Sequence, residues 1–214
     1  MKFPNAHDGV KKIYTAEILM IIAVVCSIIM LISGIIGAAV ASADSAAAAV
    51  GGFAGLAIFG VASAVLLIIA FIMNIVGINK AKLDEASFNT ALIFVLVGII
   101  ASALGAIFKE GSFLQELFTI VNSVASILIT YYVIKGIQNL AQQLGDKSMV
   151  EKGDNVIKLI CVVYAISLVA TILGSFVFTS VAGAVVSIIG SVVSIVQYIL
   201  YMTFLAQAVK MLEA

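Results

Sequence analysis

The sequence predicts an all-α integral membrane protein, built as a bundle of six transmembrane helices. Its 214 residues are 64% hydrophobic and 10% charged, which is too apolar for a soluble domain. Between Lys158 and Lys210 the chain runs for 51 residues without a charged side chain. Because one helix needs about 20 residues to cross a hydrocarbon layer of about 30 Å, this run must cross, turn and cross back.

The other spans lie in four shorter charge-free stretches. These cover Ile18 to Ala43, Ser45 to Asn79, Ala86 to Phe108 and Leu117 to Ile134, while the long run covers Leu159 to Val209. At about 20 residues per span, we expect helices near 17–40, 53–78, 87–108, 115–138, 155–177 and 184–209. The turn inside the long run is expected at Thr179 to Gly183. Residues 1–214 then form a single membrane domain with a cytoplasmic tail over residues 1–16.

The first span has an alternative interpretation as a cleaved signal peptide. Ala41-Ser42-Ala43 resembles the small-residue site at which signal peptidase cuts. The apolar stretch that begins at Ile18 is longer than the roughly 7 to 15 residues of a signal core. Its length favours a helix that is retained.

The lysines predict that both termini face the cytoplasm. All eleven basic residues are lysine and they balance eleven acids, so the net charge indicates no nucleic-acid partner. Lys109 falls on one side of the expected membrane, and the other side holds Lys2, Lys11, Lys12, Lys80, Lys82, Lys135, Lys147, Lys152, Lys158 and Lys210. By the positive-inside rule the lysine-rich side is the cytoplasm, and we expect the protein in the plasma membrane.

Three tandem two-helix hairpins are expected, because the ends of the odd-numbered helices align. Ser33 to Gly37, Ala101 to Gly105 and Ala170 to Gly174 share small residues and a closing glycine, at offsets of 68 and 69 residues. The repeat units then cover about 15–82, 83–151 and 152–214. Hairpins repeated in this way share one orientation, so the three copies can surround an axis along the membrane normal.

Three carboxylates fall in one column of this alignment, at the cytoplasmic start of each odd-numbered helix. They are Glu17, Glu85 and Asp154. In the first interpretation they cap the helices, because a carboxylate in the first turn interacts favourably with the positive end of a helix. In the second, if the hairpins surround an axis, they form a ring at its cytoplasmic mouth that attracts cations.

Polar side chains within the spans are candidates for bonds between helices or for contacts to a solute. The deepest are Asn122, Thr130, Gln197 and Tyr198. Such groups usually hydrogen-bond across helices, with about 0.6 kcal/mol each on average. Small residues three or four positions apart let helices approach closely, and we expect a helix-packing role for Gly37, Gly105, Gly174, Gly183, Ser187, Gly190 and Ser194.

The sequence contains no recognisable catalytic constellation. The only histidine, His7, falls in the tail, and no carboxylate lies deep in any expected span. Paired acids, metal ligands or a nucleophile beside a base would stand out against this apolar background. Cys26 and Cys161 specify neither a disulfide framework nor a metal site. We therefore expect no enzyme activity, no cofactor and no bound metal.

Two functions fit these features. The first is a non-enzymatic membrane subunit that acts by packing, either as an accessory to another membrane protein or as a homo-oligomer. The second is a small-solute or ion transporter or channel, with a path between the three hairpins and the carboxylate column at its inner mouth. The lipid bilayer is the one partner that the composition implies directly.

Overall fold

In the computed structural model the chain is all-helical. The structure describes residues 2–41, 46–109, 111–176 and 180–213, and it describes the side chains of residues 2–36, 56–109, 111–164 and 194–213. Over the described residues there are six α-helices: α1 Pro4–Ala41, α2 Ala46–Ala81, α3 Ser87–Gly105, α4 Phe113–Leu144, α5 Lys147–Phe176 and α6 Ser180–Glu213. The expected number of helices is confirmed.

Most helices extend beyond the span that was expected for them. Helix α1 begins at Pro4, 13 residues before the expected start at Glu17. Proline suits the first position of a helix, because its missing N–H has no intrahelical partner there. Residues 4–16, expected as a tail, therefore form the first turns of α1. At 1.5 Å per residue α1 is about 57 Å long, nearly twice the thickness of the hydrocarbon layer.

Five of the described helices are long and apolar enough to cross a membrane, by length and composition. Within the described residues these are α1, α2, α3, α4 and α6. The second half of the expected fifth span lies outside the side chains that the structure describes. Helix α5 ends at Phe176 and α6 begins at Ser180, so most of the expected turn at Thr179 to Gly183 is helical. Residues 177–179 lie outside the described residues.

A tight turn joins α4 to α5 and fixes where both helices end. Gly145 has a φ of 79°, in the left-handed region that glycine adopts without strain, and its N–H donates to the carbonyl oxygens of Ala141 and Gln142. Asp146 then caps α5, since its Oδ1 accepts the backbone N–H of Met149 at 3.0 Å. These two residues explain why α5 begins eight residues before its expected start.

The chain divides into two compact units, one of residues 12–77 and the other of residues 1–11 and 78–214. In the first unit α1 and α2 lie side by side as a hairpin. Ser27 Oγ and Ser63 Oγ are hydrogen-bonded at 2.8 Å, and a Cβ built on Gly34 would lie 3.0 Å from the Leu56 side chain. Small residues at these positions let the two backbones approach closely.

In the second unit α3 packs along α4, α4 packs against α5, and α5 packs against α6. Most of its buried apolar side chains lie toward the end that carries both Ala6 and Leu212, and we call these the terminal core. The terminal core consists of Ala6, Val10, Ile78, Ala81, Phe88, Ala91, Val133, Ile134, Ile137, Leu140, Ala141, Met149, Val156, Ile160, Phe204, Leu205, Ala208 and Leu212. Within it, Phe88 packs so closely on Gly136 that an added Cβ would lie 2.6 Å from its ring.

The membrane-length stretches of the described helices expose large apolar side chains. Ile35 on α1 is 69% exposed and Ile58 on α2 is 66% exposed. Buried residues make up 6% and 11% of the most apolar stretches of α1 and α2, compared with 28% in those of α3 and α6. Surfaces of this kind suit hydrocarbon or another membrane-embedded helix.

Substitution of Gly136 tests how tightly the terminal core is packed. Gly136→Ala should destabilise the protein by about 1–3 kcal/mol, because the added methyl group meets the fully buried ring of Phe88. Thermal unfolding in detergent, followed by circular dichroism, measures the change. Gly60→Ala is the matched control, since its methyl group meets only the flexible thioether of Met30 at 3.1 Å. Equal shifts in the two variants would contradict tight packing at Gly136.

Candidate functional site

Two adjacent amides near the end of α4, Gln138 and Asn139, organise the polar contacts of the second unit. Consecutive residues of an α-helix do not share a face. Asn139 accordingly reaches the start of α3 and Gln138 reaches α5. One turn of α4 thus binds both the start of α3, which precedes α4 in the sequence, and α5, which follows it.

Asn139 binds the residues that begin α3. Its Nδ2 donates to Glu85 Oε1 at 2.9 Å and to Ser87 Oγ at 3.1 Å. Glu85 Oε1 also accepts the Ser87 hydroxyl at 2.9 Å and the Ser87 backbone N–H at 3.2 Å. Since α3 begins at Ser87, Glu85 caps this helix with its carboxylate and ties it to α4.

Gln138 is fully buried and bridges α4 to α5. Its Nε2 donates to Asp154 Oδ1 at 2.7 Å and to the carbonyl oxygen of Val150 at 2.8 Å. The side chain lies flat on Gly153, where an added Cβ would be 2.6 Å from Gln138 Cγ. Gln138 Oε1 is buried and has no hydrogen-bond partner among the described residues. The opposite amide orientation would point that oxygen at two acceptors, so the Nε2 contacts define the orientation.

The turn between α2 and α3 holds the start of α1 in the same unit. Asp84 Oδ2 accepts the backbone N–H of Ala6 at 2.7 Å, and Asp84 Oδ1 accepts Asn5 Nδ2 at 3.0 Å. Asp84 therefore supplies from outside the helix the acceptor that the first turn of α1 lacks. Lys80 Nζ and Asp8 Oδ2 form an ion pair at 2.9 Å beside it. Because this pair is partly exposed, it contributes at most about 1 kcal/mol.

A third polar contact joins α5 and α6 at the terminal core. Lys152 Nζ donates to Gln207 Oε1 at 2.9 Å. Three helix pairs are thus each joined by a polar contact at this end: α1 and α2 by Asp8 with Lys80, the start of α3 and α4 by Glu85 with Asn139, and α5 and α6 by Lys152 with Gln207. The three contacts differ in chemistry, since one is an ion pair and the others involve an amide.

The predicted carboxylate column has three different environments. Glu85 precedes α3 and caps it, as expected. Glu17 is the fourteenth residue of α1 and is 6% exposed, and it has a polar partner. Asp154 is the eighth residue of α5. The capping interpretation is therefore wrong for Glu17 and Asp154, because both helices begin earlier than their apolar stretches do.

The predicted intramembrane polar residues belong to local or helix-to-helix contacts where the structure shows them. Thr130 Oγ1 donates to the carbonyl oxygen of Ser126 at 3.2 Å, one turn earlier on α4. Asn122 is half-buried, and its Oδ1 would lie 3.1 Å from a Cβ built on Gly98 of α3. Gln197 and Tyr198 are half-buried on α6, and Tyr198 has a partner of its own.

The predicted helix-packing residues are described only in part. A Cβ built on Gly105 would lie 3.4 Å from Phe118 Cβ, which is a close helix contact between α3 and the start of α4. Ser194 has an interaction partner. The other predicted packing positions lie outside the residues whose side chains the structure describes: Gly37, Gly174, Gly183, Ser187 and Gly190.

Gln138, Asn139 and Asp84 were not predicted from the sequence. One signal was present: Gly136-Ile137 before Gln138-Asn139 in α4 resembles Gly77-Ile78 before Asn79-Lys80 in α2. In the ranges that the structure describes, no group of three or more His, Cys, Asp and Glu residues is placed to hold a metal ion. Comparison with protein-family models, curated proteins and solved structures found no match.

Replacing the buried amide by a carboxyl group tests the bridge between α4 and α5. Gln138→Glu should destabilise the protein by about 3 kcal/mol at pH 8, because a buried carboxylate then faces Asp154 and the Val150 carbonyl without a donor. Acid should restore part of this loss, since the protonated group can donate to Asp154. Thermal unfolding at pH 5 and pH 8 measures both effects.

Gln142→Glu provides the control, because Gln142 lies one turn further along α4 and is exposed. Its unfolding temperature should change little at either pH. A Gln138→Glu protein as stable at pH 8 as the control would contradict the bridge.

Proposed function

We propose that the protein is a non-enzymatic integral membrane subunit that acts by assembling in the bilayer, either with itself or as an accessory to another membrane protein. The proposal depends on one observation: carboxylates at the terminal core are hydrogen-bonded within the protein, while the membrane-length helices expose large apolar side chains. The carboxylates of Asp8, Asp84, Glu85 and Asp154 all accept hydrogen bonds from protein donors. Groups bonded in this way support a structural role.

The α1 and α2 hairpin supplies the contact surface in this proposal. Among the membrane-length stretches of the described residues, those of α1 and α2 have the smallest share of buried residues. Helix association in lipid depends on close packing and not on the hydrophobic effect. The hairpin itself packs by close approach at Ser27, Gly34 and Ser63, which leaves the large side chains on its outer faces for lipid or a partner.

The lysine distribution orients the assembly. With both termini in the cytoplasm, the terminal core and its polar contacts lie on the cytoplasmic side of the plasma membrane. Three tandem hairpins then enter the bilayer from that side. The polar contacts that close each hairpin support this arrangement.

Subunit counting in membranes tests the proposal. A fluorescent fusion of the full chain should bleach in two or more steps per particle in native membranes, or in one step together with a labelled partner. Ile58→Trp with Val61→Trp, both exposed on α2, should lower the assembled fraction severalfold. Ile120→Trp on α4, exposed to a similar degree, is the control. Particles that bleach in one step and copurify with no protein would contradict assembly.

Transport of a small solute or ion is the second candidate, and one observation favours it. Asp154 lines a cleft of about 360 Å³ together with Lys147 and Glu151, and it lies next to the buried amide of Gln138. The charged groups that line this cleft and the neighbouring amide of Gln138 are the kinds of group that could contact a polar solute or an ion.

Asp154→Asn separates the two candidates, because the amide oxygen can still accept from Gln138 while the charge is lost. A transporter that uses Asp154 should lose most of its flux in proteoliposomes. The assembling subunit should keep its unfolding temperature and its subunit count. Unchanged flux of every solute tested would remove Asp154 from a transport mechanism.

A further inference from the structure

A groove between α5 and α6 combines a basic end with an apolar end. Its volume is about 410 Å³, within the range of small-molecule sites. The polar lining consists of Lys152, Asn155, Thr203 and Gln207, and the apolar lining consists of Val156, Leu159, Leu200 and Phe204. All of these residues belong to the second unit.

The basic end carries two lysines with capacity to bind an anion. Lys152 Nζ uses one of its three donors on Gln207 Oε1 at 2.9 Å, which leaves two. An adjoining cleft of about 330 Å³ shares Lys152 and Gln207 with the groove and adds Lys210. The one acid lining that cleft, Asp146, already accepts the N–H of Met149 as the cap of α5. The N-terminus of α5 adds positive partial charge to the same end.

The apolar end lies deeper along both helices. Leu159 follows Lys152 by seven residues on α5, and Leu200 precedes Gln207 by seven residues on α6. At 1.5 Å per residue, each leucine lies about 10 Å from the basic end along its helix. The part of α6 that contains Leu200 is apolar enough to cross a membrane. The groove thus runs from a surface cation pair toward the hydrocarbon layer.

We propose that this groove binds an anionic phospholipid, with the phosphate between Lys152 and Lys210 and the start of an acyl chain along Leu159 and Leu200. Basic pockets between membrane helices recognise anionic head groups by charge. A zwitterionic lipid offers the same chains but a compensated head group, so it binds more weakly. The site does not depend on whether the protein assembles or transports.

Lipid titration of the full-length protein in detergent, read by native mass spectrometry, tests the site. Phosphatidylglycerol and phosphatidylcholine with identical acyl chains are the two probes. Wild-type protein should retain phosphatidylglycerol preferentially. Each lysine near an anionic head group is worth about fivefold in affinity, so Lys152→Gln with Lys210→Gln should lower retention by about 25-fold.

Lys147→Gln is the matched control, since Lys147 lines the separate cleft next to Asp154. This variant should retain phosphatidylglycerol within about twofold of wild type. Leu200→Trp fills the apolar end and should weaken both lipids while the lysines stay intact. Circular dichroism melts of all variants identify any that fail to fold.

Three results would overturn the proposal. Wild-type protein could retain both lipids equally, the control could lose as much affinity as the double variant, or inorganic phosphate could displace the lipid at equal concentration. The last result would mean that the lysines bind a free anion and that the apolar end is not used.

Discussion

The arrangement of helices in the second unit depends on two adjacent amides, the fully buried Gln138 and the half-buried Asn139. A buried polar group costs free energy unless it is hydrogen-bonded, so α4 packs stably here only where its neighbours supply acceptors. Glu85 and Asp154 do so. Because the two amides point to different sides of α4, the same bonds set the rotation of α4 and its register against α3 and α5. The close contacts of Gly136 with Phe88 and of Gly153 with Gln138 leave little freedom to change this rotation or this register.

This constraint separates the described part of the molecule into two kinds of surface. At the terminal core, carboxylates and amides bond to each other and large apolar side chains are buried. Along the membrane-length stretches, isoleucine, leucine and valine face outward. The carboxylates of Asp8, Asp84, Glu85 and Asp154 are bonded within the protein, whereas the outward apolar faces and the lysines Lys152 and Lys210 are exposed. The proposed assembly uses the apolar faces, and the proposed lipid binding uses the two lysines.

The number of helices was predictable because crossing a membrane sets a minimum apolar length. The polar first turns of α1 and α5 were not predictable from hydropathy. Asp84 and Asp146 stabilise these turns by accepting backbone N–H groups, and a hydropathy profile contains no information on such caps. Because α1 and α5 begin earlier than expected, Glu17 and Asp154 lie in the interior of these helices and not in their first turns. The role of Gln138 was not predictable from hydropathy, because this residue falls at the expected end of a span, where polar residues are ordinary. Its burial follows from Gly153 and Asp154, which come from a different helix, so a pattern along one helix did not reveal it.

If the protein works by assembling in the bilayer, as we propose, the particle in the native membrane contains more than one protein chain. Extraction with a mild detergent, followed by mass spectrometry of the intact particle, gives the number of copies and the identity of any companion. We expect several copies of this chain, or one copy with a second membrane protein at fixed stoichiometry, with or without bound phospholipid. A single copy that carries lipid alone would contradict it.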